Sequence, residues 1–135
     1  MRVIIIGAGR GRRLMPTTAN APKCYAEVDG RRLLDWALDA FGASGLEQVC
    51  FIGGYQIDRV KADYPHFEFR HNDDWENNNI LASLFYAADL MDEPFICCYS
   101  DVLFTPDIVA RLASSPDDIA LGVDTSWLGR YVERT

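Results

Sequence analysis

The sequence has no apolar run that approaches the roughly 20 residues a membrane-spanning helix needs. The apolar run after Met1 and Arg2 is also too short for a signal peptide. Only four cysteines occur, at positions 24, 50, 97 and 98, and they form no C-x-x-C pair. We therefore expect free thiols rather than disulfides or a zinc site, and a cytoplasmic protein without a membrane span.

Acidic residues are missing from the first part of the chain. All 20 of them lie beyond position 26, whereas residues 1–26 contain five basic residues, namely Arg2, Arg10, Arg12, Arg13 and Lys23. This segment is therefore +5, although the whole chain is −7. A nucleic-acid binder is normally basic over a whole face. Positive charge concentrated in one short segment instead favours a compact anion such as a triphosphate, and we expect no nucleic-acid partner.

The length and the apolar pattern predict the fold class. The chain of 135 residues fits one domain, residues 1–135. Short apolar runs predict strands over residues 3–6, 49–52, 67–70, 95–99 and 119–123. Apolar residues at helical spacing predict helices over 33–41, 56–63 and 80–91, and Thr105-Pro106-Asp107 predicts a further helix start. This alternation predicts an α/β fold, with a mostly parallel sheet covered on both sides.

The candidate site follows from that prediction. Parallel sheets of this type bind ligands at the carboxyl ends of their strands, which are followed by residues 7–23, 72–79 and 99–104. Glycines at positions 7, 9 and 11 allow a sharp turn, and their N–H groups can hold phosphate oxygens. Arg12 stands where a Walker A motif needs lysine and where a dinucleotide fingerprint needs its third glycine. The sequence thus predicts a third kind of phosphate loop.

The loop as a whole resembles a known signature. Gly9-x-Gly11-x-Arg13-Leu14-x-Pro16-x-Thr18, followed by Pro22-Lys23, is similar to the loop of the nucleotidyltransferase family that includes sugar-phosphate and choline-phosphate nucleotidylyltransferases. The resemblance implies a Rossmann-like three-layer sandwich of the nucleotide-diphospho-sugar transferase type. It implies that the nucleotide contacts Gly7, Ala8, Gly9 and Gly11. It also implies that Arg13 and Lys23 bind the nucleotide and act in catalysis, by neutralising charge on the α-phosphate and the leaving pyrophosphate.

The asparagine-rich segment resembles one branch of that family. Asn77-Asn78-Asn79, followed by Ser83-Leu84, is similar to the helix start of choline-phosphate and phosphonate cytidylyltransferases, where sugar-nucleotide enzymes usually carry glycines. The resemblance implies that Asn79 lies near the base and sugar. Asparagine is also a favoured N-cap, so Asn79 has a structural alternative, and one residue can serve both purposes. Ser83, one turn further along, is either packed or near the ligand.

Tyr99-Ser100-Asp101 follows a predicted strand. The family places a metal-binding aspartate at this position, so the resemblance implies that Asp101 binds Mg²⁺; a loop-capping aspartate is the alternative. In the family, the second metal carboxylate and the acceptor-binding half lie beyond residue 135. The resemblance therefore covers an N-terminal nucleotide-binding part, with the C-terminal part apparently missing. If the chain acted alone, Asp124 or Glu133 would have to supply the second carboxylate.

These features predict a nucleotidyltransferase that transfers CMP from CTP to a phosphorylated small molecule, such as phosphocholine or a phosphonate, and releases pyrophosphate. The acceptor oxygen is already ionised near neutral pH, so no general base is needed, and His66 and His71 are expected to be surface or structural residues. Two alternatives remain: a sugar-1-phosphate nucleotidylyltransferase, and a catalytically inactive nucleotide-binding module. We also expect self-association, as a homo-oligomer, because a missing half would leave apolar surface exposed.

Overall fold

The computed structural model describes residues 1–132. Four parallel strands form the central sheet: Arg2–Gly7 (β1), Val49–Gly53 (β4), Glu68–His71 (β5) and Phe95–Tyr99 (β6). Their order is β5-β4-β1-β6, so β1 lies at the centre. A separate antiparallel ribbon pairs Glu27–Val28 (β2) with Arg31–Arg32 (β3).

The helices are Leu33–Gly42 (α1), Ile57–Asp63 (α2), Ile80–Phe85 (α3), Pro106–Ala113 (α4) and Trp127–Tyr131 (α5). Short 3₁₀ helices cover Arg12–Leu14, Lys23–Tyr25 and Ala88–Leu90. Within the described residues, no helix combines the length and the hydropathy that crossing a bilayer requires.

The two faces of β1 are buried against different helices. Val3 and Ile5 belong to a core that contains Phe41 of α1, Val60 of α2 and Val109 of α4. The alternate residues Ile4 and Ile6 pack with Ala87 and Leu90, which follow α3. Side chains of a strand alternate between the faces of the sheet, so a continuous apolar run requires cover on both. The predicted α/β fold, a three-layer sandwich with a parallel sheet, is confirmed.

Two predicted elements differ from the structure. No strand forms over residues 119–123, where Ile119, Leu121 and Val123 are 84%, 82% and 69% exposed. Strand propensity requires a neighbouring strand and a buried face, and within residues 1–132 this segment has neither. The helix predicted over 80–91 ends at Phe85, because Ala87 leaves the helical conformation and a 3₁₀ turn follows. That turn buries Ala87 and Leu90 against the sheet.

Among the other local predictions, the side-chain cap of Thr105 differs from the structure. All four cysteines are free, and burial raises the pKa of the Cys24 thiol to about 12. Thr105 occupies the N-cap of α4 with Pro106 in the first turn, although its hydroxyl bonds to the Asp107 carboxylate rather than to the backbone. His66 and His71 are exposed, as expected.

Candidate active site

The loop after β1 is held in place by residues that follow β4. The Tyr55 N–H donates to the Ala8 carbonyl at 2.9 Å, and the Tyr55 hydroxyl donates to the Ala19 carbonyl at 2.8 Å. Gly54 permits this approach, because a Cβ there would lie 2.8 Å from the Ala8 oxygen and 2.6 Å from Trp75. The sequence predicted no role for Gly54 or Tyr55, although their place after the second predicted strand puts them at the same edge of the sheet.

Gly11 adopts a left-handed backbone conformation, with a φ of 68°. The hydroxyl of Thr18, which is fully buried, donates to the Gly11 carbonyl at 2.8 Å and closes the loop. A Cβ on Gly11 would lie 2.8 Å from the Cβ of Lys23. The stem of Lys23 therefore packs directly against the glycine, which fixes the lysine beside the loop.

Lys23 extends from a 3₁₀ helix whose other residues, Cys24 and Tyr25, are buried. The Tyr25 hydroxyl donates to the Asp63 carboxylate at 2.6 Å, and the Arg32 guanidinium lies 3.7 Å from the Tyr25 ring centroid. Burial and the hydrogen bond to Asp63 raise the pKa of Tyr25, so its hydroxyl remains a donor. These contacts fix the backbone from which Lys23 reaches Asp101.

Lys23 and Asp101 meet where the loop and the end of β6 converge. The Lys23 Nζ lies 3.2 Å from the Asp101 Oδ2, and the side chains are 22% and 34% exposed. The Ser100 N–H donates to the Ile6 carbonyl at 3.0 Å, which joins the segment carrying Asp101 to β1. The loop signature and the strand end, which were interpreted separately in the sequence, thus contribute to one ion pair.

The arginines of the loop are arranged differently. Arg13 is exposed on the 3₁₀ helix Arg12–Leu14 and does not line the space beside Lys23. The Arg10 guanidinium lies 5.3 Å from the Tyr55 ring centroid, and its buried Nε has no hydrogen-bond partner within residues 1–132. The phosphate contact expected for Arg13 stays a prediction.

Residues 72–83 form the opposite wall. Asn79 caps α3, because its Oδ1 accepts from the Ala82 N–H at 3.0 Å, and it also lines the cleft. The capping role is thus present, and the nucleotide contact stays a prediction. Ser83 is buried, and its hydroxyl accepts from the Asn72 amide at 2.7 Å. No individual role was predicted for Asn72 or Asn78, although Asn78 belongs to the asparagine-rich segment and Asn72 lies shortly after a predicted strand.

These segments enclose an open cleft of about 380 Å³ at the carboxyl edge of the sheet. Its apolar lining comes from Ile6, Ala8, Trp75, Ile80 and Tyr99, and its other lining residues are Gly9, Lys23, Asn78, Asn79, Ser83 and Asp101.

The cleft brings together five of the eight predicted site residues, namely Ala8, Gly9, Lys23, Asn79 and Asp101. Gly7 and Gly11 shape the loop behind the cleft without lining it, and Arg13 lies outside.

Asp101 is the one carboxylate among the residues that line the cleft. In the part of the chain that the structure describes, no group of three or more His, Cys, Asp or Glu residues is placed to hold a metal ion. Mg²⁺ commonly takes one or two carboxylates and completes its shell with phosphate oxygens and water, and Asp101 fits that mode. Asp124 is paired with Arg130 at 3.0 Å, and Glu133 lies outside the described residues.

This arrangement is that of the α/β nucleotidyltransferases. The chain belongs to the MobA-like NTP transferase domain family, which it matches over residues 3–129. It is similar to the CTP:phosphoglutamine cytidylyltransferase of Campylobacter jejuni, with 29% identity over 99% of this chain and 56% of that protein. It is also similar to the UTP–glucose-1-phosphate uridylyltransferase of Haloferax volcanii, with 28% identity over 92% of this chain and 54% of that protein.

A solved structure of a cytidylyltransferase is also similar to this chain. The CTP:phosphocholine cytidylyltransferase of Streptococcus pneumoniae superposes with a TM-score of 0.67 and 25% identity, over 78% of this chain and 49% of that chain. The resemblance to cytidylyltransferases predicted from the sequence is confirmed. The chain spans about half the length of these relatives.

Proposed function

We propose that this chain is the nucleotide-binding part of a cytidylyltransferase, which transfers CMP from CTP to a phosphorylated or phosphonate acceptor and releases pyrophosphate. The observation that carries the proposal is the meeting of Lys23 and Asp101 at 3.2 Å, beside a glycine loop and opposite an asparagine-rich wall. A cation, a carboxylate and backbone N–H groups at one edge of a parallel sheet suit a metal-bound triphosphate.

Each side of the cleft has a proposed task. The backbone of Ala8 and Gly9 and the Lys23 ammonium hold the phosphates, and Arg13 neutralises the pyrophosphate from the exposed turn after Gly11. Asp101 would hold Mg²⁺, which supplies charge neutralisation on the triphosphate when bound. An acceptor phosphate is largely ionised above a pH of about 6, so an in-line attack on the α-phosphorus needs no general base. Catalysis then rests on positioning and electrostatic stabilisation.

Binding of CTP is the first test of this proposal. A ligand that binds the folded state raises its apparent stability, so thermal shifts with CTP, ATP, GTP and UTP, each with Mg²⁺, measure the preference. We expect CTP to give the largest shift, because the wall carries Asn78 and Asn79 rather than glycines. Equal shifts, or a preference for UTP or a deoxythymidine nucleotide, would favour the sugar-1-phosphate alternative, which the similarity to the Haloferax volcanii enzyme supports.

Turnover is the second test. Holding the acceptor near the α-phosphorus can supply about 7–11 kcal/mol of the barrier. The cleft offers one carboxylate, and its lining contains no second cationic side chain besides Lys23 to hold an acceptor phosphate. We therefore expect this chain, assayed alone, to bind nucleotide but to release pyrophosphate slowly or not at all with CTP, Mg²⁺ and phosphocholine or an aminoalkylphosphonate. Robust turnover by a monomer would contradict this and would require Asp124 or Glu133 at the metal.

A further inference from the structure

The side chain of Asn72 uses its entire hydrogen-bonding capacity inside the protein. It is fully buried directly after β5. Its Nδ2 donates to the Asn78 Oδ1 at 2.9 Å and to the Ser83 hydroxyl at 2.7 Å. Its Oδ1 accepts from the Asn78 Nδ2 at 2.9 Å and from the Asp74 N–H at 3.2 Å. An amide side chain has two N–H donors and two acceptor lone pairs, so Asn72 has nothing left with which to contact a ligand.

Asn78 has the complementary arrangement. One of its N–H groups and one lone pair of its Oδ1 are used in the reciprocal pair with Asn72, which leaves one donor and one acceptor. The side chain is partly exposed and lines the cleft. Ser83 also lines the cleft, and its hydroxyl accepts from Asn72 and keeps its own proton to donate. Asn72 thus fixes two cleft-lining groups that have unused hydrogen-bonding capacity.

We propose that Asn72 is the positioning residue for nucleoside recognition. It holds the Asn78 amide and the Ser83 hydroxyl so that their remaining donors and acceptor face the base and sugar of the bound nucleotide. Asn78 is then a contact residue, and Asn72 acts only through it and through Ser83. This inference rests on the proposed function.

Filling space in the core does not account for the arrangement. The buried Asn72 amide needs four hydrogen-bond partners to offset its desolvation, whereas an apolar side chain would fill the same space without any partner. Thr18, the other fully buried polar residue of the site, bonds to the Gly11 backbone carbonyl and braces the loop itself. Asn72, by contrast, makes three of its four side-chain hydrogen bonds to Asn78 and Ser83, two side chains of its own wall that line the cleft.

The experiment compares the affinity for CTP with the affinity for inorganic tripolyphosphate, both with Mg²⁺, by isothermal titration calorimetry. The dissociation constant for tripolyphosphate divided by that for CTP measures what the nucleoside contributes to the affinity. We expect Asn72→Ala to lower that ratio about tenfold, the value of one good hydrogen bond, and to leave the tripolyphosphate affinity unchanged within about twofold. Asn78→Ala should have the same effect, and the double variant should lose no more than the worse single variant.

Val109→Ala is the matched control, because Val109 is a fully buried residue of α4 on the other face of the sheet. It should lower the Tm and leave the ratio unchanged. An unchanged ratio in Asn72→Ala, or an equal loss for both ligands, overturns the positioning role. If Asn72→Ala does not fold, Asn78→Ala decides, and an unchanged ratio there overturns the inference too. An unsubstituted chain that binds neither ligand contradicts the proposed function itself, and the inference with it.

Discussion

At the scale of single residues, the ion pair between Lys23 and Asp101 determines the charge of the cleft. Both side chains are partly exposed, so the pair itself adds little to the stability of the fold. Its importance lies in its position, because it joins the proposed phosphate ligand Lys23 to the proposed metal ligand Asp101 inside the cleft. A phosphate would compete with Asp101 for Lys23, and a metal ion would compete with Lys23 for Asp101.

Substitution of Lys23 tests the phosphate side of the cleft. We expect Lys23→Ala to weaken triphosphate binding by about 1.5–3 kcal/mol, the contribution of a charge-assisted contact, and monophosphate binding much less. Lys61→Ala is the control, because Lys61 is the only other lysine and is exposed on α2. Calorimetry with CTP and CMP measures both affinities.

Arg13→Ala should likewise weaken CTP binding more than CMP binding, although Arg13 lies outside the cleft in the structure. The same calorimetric comparison applies, with Arg111→Ala as the control, since Arg111 is exposed on α4. An unchanged triphosphate affinity would remove Arg13 from the set of phosphate-binding residues.

Asp101→Asn tests the metal side. The substitution removes a negative charge beside the triphosphate and releases Lys23, so we expect tighter CTP binding in EDTA than in the unsubstituted chain. Addition of Mg²⁺ should then increase the affinity far less than it does in the unsubstituted chain. Titration calorimetry with and without Mg²⁺ checks both effects. A variant that unfolds would instead indicate a loop-capping aspartate.

At the scale of structural elements, the loop between β1 and α1 depends on contacts from three separate places. Thr18 closes it from within, Tyr55 holds it from the end of β4, and the buried 3₁₀ helix Lys23–Tyr25 ends it. Gly11 lies between Thr18 and the 3₁₀ helix Lys23–Tyr25, with its Cα against the stem of Lys23.

A matched pair of glycine substitutions separates strain from displacement of the lysine. Gly11 and Gly30 have similar left-handed φ angles of 68° and 73°, but a Cβ on Gly30 would meet nothing within 4 Å. We expect Gly30→Ala to lower the free energy of unfolding by about 1–2 kcal/mol, and Gly11→Ala to lower it by at least as much, because its Cβ also meets Lys23. Only Gly11→Ala should also weaken tripolyphosphate binding. Denaturant titration and calorimetry give the two quantities, and equal binding by both variants would mean that Lys23 tolerates the shift.

Local signals in the sequence were sufficient wherever neighbours in the chain determine the structure. The apolar run over residues 3–6 predicted a doubly buried strand, and the resemblance of the glycine signature to a family loop predicted the place of Lys23. Residues 119–123 have the same apolar character, but a strand also needs a partner, and pairing is not a local property. Asn72 is hydrogen-bonded to Asn78, 6 positions away, and to Ser83, 11 positions away. These spacings match no helical period and no capping pattern, so the sequence did not predict the bonds.

At the scale of the whole molecule, large apolar side chains remain exposed outside the cleft. Leu81 and Phe85 on α3 are 61% and 60% exposed, and Leu103 after β6 is 53% exposed. Exposed apolar surface of this kind promotes association. The chain spans about half the length of its relatives. The prediction of self-association therefore applies to these 135 residues and not to a longer protein.

Light scattering checks that prediction. We expect the mass in solution to exceed that of a monomer, and to fall towards it when Leu81 and Phe85 are both replaced by lysine. Replacement of Ala62 and Ala110 by lysine is the control, because both are exposed on other helices and the change in net charge is the same. A monomeric unsubstituted chain, or an equal response to both double variants, would contradict the involvement of α3.

Within residues 1–132, β1 pairs on both sides and β6 pairs with β1 alone, so the two sides of the cleft resist local unfolding unequally. Amide hydrogens of a central strand exchange with solvent only when the whole domain opens, whereas those of an edge strand exchange through smaller fluctuations. The glycine loop continues from β1, and Asp101 continues from β6. A molecule with β6 transiently released therefore keeps its glycine loop and loses Asp101, the proposed metal ligand. Hydrogen exchange in the segment before Asp101 thus sets an upper limit on the fraction of molecules that are competent to bind a metal-loaded triphosphate.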